Sequence, residues 1–149
     1  MATIDTTFLC QYGALPFSMT EEGEIAVLLV TTRGRRDWII PKGWPIRRLT
    51  PAATAAREAY EEAGLIGHII GDEPFGFFHY EKQRNSRKAT LYEVSVFLFA
   101  VERQVRKWPE KSERETRWFA PEEAATLVAS AGLADILRDA GRRIAGGSG

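Results

Sequence analysis

The sequence predicts an α/β fold, with a mixed β-sheet lying between helices. Three observations lead there. Stretches rich in β-branched and aromatic residues recur along the chain and read as strands. Few helical segments interrupt them, and the run Ala52 to Ala63 is alanine-rich on one side, which permits close packing on a sheet. The length of 149 residues, 44% of them hydrophobic and 27% charged, suits one domain with a substantial core. We read residues 1–145 as that single domain and 146–149 as a flexible tail.

In chain order, Phe8 to Ser18 is apolar and broken by Gly13 and Pro16, which suggests an opening strand near a sheet edge. Glu21 to Glu24 is a turn, and Ile25 to Val30 is a buried strand. An arginine-rich loop, Thr31 to Asp37, leads to the short strand Trp38-Ile39-Ile40, ended by Pro41. Residues 43–50 form a loop. Thr50 is placed to cap a helix, Pro51 to open it and Gly64 to end it. A long strand follows from Gly67 to Lys82, bent at Gly76, with Asn85-Ser86 as a hairpin tip and Ala89 to Val101 as the returning arm. Trp108-Pro109 starts a loop, and Arg117-Trp118-Phe119 is a short strand. Pro121 to Ser130 reads as a helix, Gly132 as a break, and Leu133 to Ile144 as the last helix.

Composition excludes some functions. The formal net charge is zero, so there is no global field to draw in nucleic acid or a membrane surface. The single cysteine, Cys10, rules out an intrachain disulfide and suits a reducing compartment. No basic-then-apolar leader pattern opens the chain and no apolar run has membrane-spanning length, so the expected location is cytoplasmic.

The chemistry concentrates in Arg57-Glu58-Ala59-Tyr60-Glu61-Glu62-Ala63-Gly64-Leu65. Glu58, Glu61 and Glu62 are spaced i, i+3, i+4, which places them on one helix face. Crowded carboxylates raise one another's pKa unless a cation neutralises them. Hard oxygen ligands of this kind suit Mg²⁺ or Mn²⁺. Such an ion would grip phosphate oxygens and acidify a bound water, which favours phosphoanhydride hydrolysis.

The run from Gly43 to Leu65 resembles the Nudix box, the signature of the Nudix hydrolases. Gly43, Arg57, Glu58, Ala59, Glu61, Glu62, Gly64 and Leu65 fall on its pattern. One position departs, since Leu49 stands where the box has its first acidic residue. The resemblance implies an α/β/α sandwich. It also implies that Glu58, Glu61 and Glu62 hold metal, completed by the Gly43 carbonyl. Glu58 and Glu61 would serve catalysis, with Arg57 orienting a neighbouring carboxylate. A further carboxylate often comes from outside the box. Glu113 and Glu115 are the candidates, with Glu81 weaker.

Two basic clusters offer phosphate contacts: Arg33, Arg35, Arg36, Lys42, Arg47 and Arg48, and then Lys82, Arg84, Arg87 and Lys88. Of these, Arg33, Lys42, Arg47, Arg48, Lys82 and Arg84 are the expected substrate-binding residues. Trp38, Phe77, Phe78, His79, Tyr80 and Tyr92 could stack a base, although their alternation fits a core better; His68 reads as surface. The flanks Trp38 to Gly43, Arg106 to Glu110 and Arg117 to Phe119 are similar to the diphosphoinositol polyphosphate phosphohydrolase branch of the family. That resemblance implies a small phosphorylated substrate, a nucleoside diphosphate linked to another moiety or a polyphosphorylated compound, with diphosphoinositol polyphosphates and dinucleoside polyphosphates favoured, and a monomer or homodimer. The alternative is a Nudix-fold ligand sensor that has lost turnover, to which Leu49 gives a foothold. An isoprenoid diphosphate isomerase on this fold would need a well-placed cysteine, and Cys10 lies in an unsuitable apolar run.

Overall fold

A computed structural model describes residues 5–146. Strand β1 (Asp5–Met19) runs through the middle of an eight-stranded mixed sheet. On one side it pairs in parallel with β7 (Lys88–Gln104), from Asp5↔Lys88 to Phe17↔Ala100. On the other it meets β4 (Lys42–Gly43) at Tyr12 and Gly13, then β2 (Ile25–Thr31) at Phe17 to Met19, both antiparallel. The opening strand is therefore central, against the expectation of an edge. Gly13 marks a close approach instead: a Cβ there would lie 3.1 Å from Ile40 Cδ1 and from Val94 Cγ1. Pro16 falls between the β4 and β2 pairings, where that side of the strand has no partner needing its missing N–H.

The strand expected over 67–82 is two strands. β5 (Leu65–Ile69) and β6 (Gly76–Asn85) each pair antiparallel with β7, at different stretches of it. The intervening segment turns at Gly71, whose φ is +84°, and Pro74 cannot donate to a ladder. At the hairpin tip the Asn85 side chain accepts from the backbone N–H groups of Arg87 (2.8 Å) and Lys88 (2.9 Å). β3 (Trp38–Ile39) and β8 (Thr116–Phe119) pair with β2.

Helix α1 (Pro51–Ala63) begins and ends where the sequence places it. The Thr50 hydroxyl accepts from Ala53 N–H at 3.1 Å, and Gly64 closes the helix at φ +68°. α2 (Pro121–Leu127) is shorter than expected, and α3 (Ala131–Gly146) starts before Gly132. Ser130 caps α3 by accepting from Leu133 N–H at 3.2 Å, so the break precedes Gly132, which sits in the first turn. Of the expected tail, Gly146 closes α3, and residues 147–149 lie outside the described residues.

Because β2 is buried on both faces, its apolar run serves two cores. Leu28 and Val30 join Phe97 and Phe99 beneath Ala55, Ala59 and Ala63 of α1. Val27 and Leu29 join Val94 and Val96 beneath Ala124, Leu133, Leu137 and Ala140 of α2 and α3. The result is an α/β/α sandwich. Among the described residues, no helix is long and apolar enough to cross a membrane.

Candidate active site

Packing of the alanine face fixes α1 on the sheet and turns Glu58 and Glu62, one helical turn apart, toward β4. Glu62 is 4% exposed. The Glu58 carboxylate lies against Gly43, where an added Cβ would stand 2.4 Å from Glu58 Cδ and 2.5 Å from its Oε1. Only glycine leaves room for the carboxylate there.

The segment after β7 wraps the end of α1. Val105 N–H donates to Gly64 O (2.8 Å), Glu110 N–H to Glu61 O (3.0 Å) and Trp108 Nε1–H to Glu62 O (3.2 Å). This wrap delivers Arg114, whose side chain is 11% exposed, into the acidic site. Arg114 Nε–H donates to Glu110 Oε1 at 2.7 Å and stands 3.8 Å from Glu62 Oε1. Its NH1 donates to Thr31 O at 3.1 Å.

Burial pushes the Glu62 carboxyl up to about 9; Arg114 opposes this, while Glu58 and Glu110 add to it. Burial also raises the Glu58 carboxyl, with the nearby charges of Glu61 and Glu110 adding to it and Arg114 opposing it. Beside them, burial lowers the Lys42 ammonium below its usual value, against the attraction of Glu62. The donor set is oxygen-only: two neighbouring carboxyls whose charged forms are disfavoured without a cation, next to a glycine backbone. It fits a hard ion such as Mg²⁺ or Mn²⁺. No three His, Cys, Asp or Glu side chains among the described residues form a ready metal cage. Glu61 instead pairs with Arg57 at 3.9 Å, its side chain one-third exposed.

The other expected residues divide. Lys42 lies at the acidic site, within reach of the charges of Glu62 and Glu58, and the exposed Lys82 is close enough for its charge to repel that of Lys42. Arg33 bonds Glu113 at 3.0 Å and also feels the charges of Glu110 and Glu62, which sets it at the rim. Arg47 and Arg48 are exposed in the loop between β4 and α1, with Arg48 at φ +73°, and neither has an ion-pair partner among the described residues. The Arg84 side chain lies outside the described residues. Glu113 and Glu115 are taken up by Arg33 and Arg117. Glu81 is exposed on β6. Glu110 is the carboxylate that reaches the site from outside α1; the sequence placed it in the flank Arg106 to Glu110 and at i, i+4 from Arg114, without marking it as a site residue.

Most of the aromatics are core, as expected: Phe78 and Tyr92 are buried and Trp38 and Tyr80 half-buried, while Phe77 is 53% exposed. His79 bonds Glu93 at 3.0 Å, and His68 is a surface residue beside Glu102. Trp44, which sequence reasoning passed over, stands exposed immediately after Gly43. Its only local signal was a tryptophan set between glycine and proline in a loop.

Residues 12–140 match the NUDIX domain family. The protein called Nudix hydrolase 13, mitochondrial, from Arabidopsis thaliana is 28% identical over 139 residues, covering 83% of this chain and 68% of its own. A human diphosphoinositol polyphosphate phosphohydrolase is 30% identical over 118 residues, covering 78% of this chain and 60% of its own. The crystal structure of a C. elegans Ap4A hydrolase superimposes with a TM-score of 0.68 at 18% identity, covering 93% of this chain and 99% of that one. At that identity the structural likeness speaks for the fold alone.

Proposed function

This chain belongs to the Nudix hydrolase family, and on that premise we propose that it cleaves phosphoric anhydride bonds in small polyphosphorylated substrates with Mg²⁺ or Mn²⁺ bound. The observation that carries this reading is the pair of a buried Glu62 and a half-buried Glu58 carboxyl, the latter packed against Gly43, with Lys42 beside them. Diphosphoinositol polyphosphates, in line with the name of the human relative, and dinucleoside polyphosphates are the substrate classes we put first.

Glu58, Glu62 and the Gly43 carbonyl would hold the ion. When bound, it neutralises phosphate charge and acidifies a water. Lys42 and Lys82 bind phosphate oxygens, and Arg33 draws anions toward the rim. Arg114 holds the Glu62 carboxyl in place while Glu110 holds Arg114. Glu61, one-third exposed and paired with Arg57, is the box acid outside the Glu58–Glu62 pair and would be the one to accept a proton from water.

A phosphate-release assay with Mg²⁺ across a panel of phosphoanhydrides tests the proposal. Glu62→Gln removes a ligand charge with little change of shape. It should lower turnover at least about a hundredfold, as when a group that stabilises transition-state charge is lost, while the circular dichroism spectrum is kept. Near-normal turnover of that variant at limiting Mg²⁺ refutes the assignment. A sensor without turnover would bind Mg²⁺ and release no phosphate from any compound in the panel.

A further inference from the structure

Phosphate chemistry leaves the Trp44 indole unused. This ring is 49% exposed, although it follows directly on Gly43, against which the Glu58 carboxylate packs. It is backed by a chain of packed rings. The Trp44 ring lies 5.6 Å from Tyr92, tilted at 52°. Tyr92 stacks on Tyr80 at 4.6 Å and 7°, and the two are register partners on β7 and β6. The Tyr80 hydroxyl in turn donates to the buried Gln11 Oε1 at 2.6 Å. Lys42, two residues before Trp44, sets its Nζ 4.9 Å from the Tyr80 ring centre. A cation and an exposed aromatic ring thus each pack on one member of the stacked tyrosine pair, and Gly43 between them in sequence lies against the Glu58 carboxylate.

We propose that Trp44 is the platform on which the base of a nucleoside polyphosphate stacks, with Lys42 taking an adjoining phosphate. The inference rests on the hydrolase reading above and narrows its substrate class. A flat indole face gains most from another flat π-face. An inositol ring is puckered and carries polar groups on every carbon, so it offers no such face. Substrates with a nucleobase are then preferred over polyols of similar charge.

The test compares kcat/KM for diadenosine tetraphosphate and for tripolyphosphate, which has no ring, in wild type, Trp44→Ala and Trp44→Phe with Mg²⁺. The ratio of the two values should fall about tenfold in Trp44→Ala, mainly through KM for the nucleotide, the scale of one lost base stack. Trp44→Phe should recover most of it. An unchanged ratio in Trp44→Ala overturns the inference. A second measurement needs no turnover. ADP should quench tryptophan fluorescence in the wild type and not in Trp44→Phe, which keeps Trp38, Trp108 and Trp118. Quenching that persists in Trp44→Phe also overturns it. If no phosphoanhydride is hydrolysed, the hydrolase reading fails, while the quench still decides the platform.

Discussion

Glu62 couples pH, metal and stability in a single side chain. Folding raises its carboxyl from the ordinary 4.5 to about 9, chiefly by burial. The native state therefore keeps a proton that the unfolded state gives up, and stability is lost as pH rises through that interval. The usual carboxylate paired with a cation behaves in the opposite sense. A divalent ion between Glu58 and Glu62 replaces the proton and removes the penalty, so its benefit grows with pH. We expect the metal-free protein to melt at a lower temperature at pH 8.5 than at pH 6. We also expect Mg²⁺ to raise the melting temperature more at pH 8.5. Thermal melts in the four conditions check this, and an equal Mg²⁺ effect at both pH values would remove Glu62 as a ligand.

Helix α1 carries the site, and its two ends do different work. At the start, Thr50 caps only the helix itself. At the end, Gly64 sits at φ +68°, and a Cβ there would lie 2.3 Å from Trp108 Cε3. Thr50→Ala should cost about 1 kcal/mol of stability with Mg²⁺ affinity nearly unchanged. Gly64→Ala should cost at least about 1–2 kcal/mol from the left-handed backbone alone. It must also displace Trp108 and the wrap that brings in Glu110 and Arg114, so Mg²⁺ affinity should fall as well. Urea midpoints and metal titration separate the two variants. This asymmetry also explains what could be read from the sequence. The cap at Thr50, the stop at Gly64 and the spacing of Glu58 and Glu62 are local signals, legible in a short window. Glu110 and Arg114 arrive from some fifty residues downstream through a loop that hugs the end of α1, and their neighbours Glu113 and Glu115 differ only in which arginine they meet. Pattern alone could not rank them. The central place of β1 was hidden for a similar reason, because Gly13 has the same letter whether it marks an edge or a close crossing.

The two cores share one sheet but not one duty. Leu28 and Val30 face α1, whereas Val27 and Leu29 face α2 and α3. Fully buried alanines line both interfaces: Ala59 in α1 and Ala140 in α3. Placing leucine at either site overpacks an interior and should cost about 1–3 kcal/mol. The consequence for activity should differ. Ala59 lies between Glu58 and Glu62 in the helix, so lifting α1 from the sheet moves both carboxyls away from Gly43, and a displacement near 1 Å can cost about a hundredfold in rate. The acidic pair lies on the opposite side of the sheet from Ala140, so Ala140→Leu should unfold at lower urea yet keep kcat close to wild type while folded. Denaturation midpoints alongside kcat at a temperature where both variants are folded make the comparison. Equal losses of kcat would mean that the site depends on the sandwich as a unit, and the assignment of catalysis to the α1 layer would have to be given up.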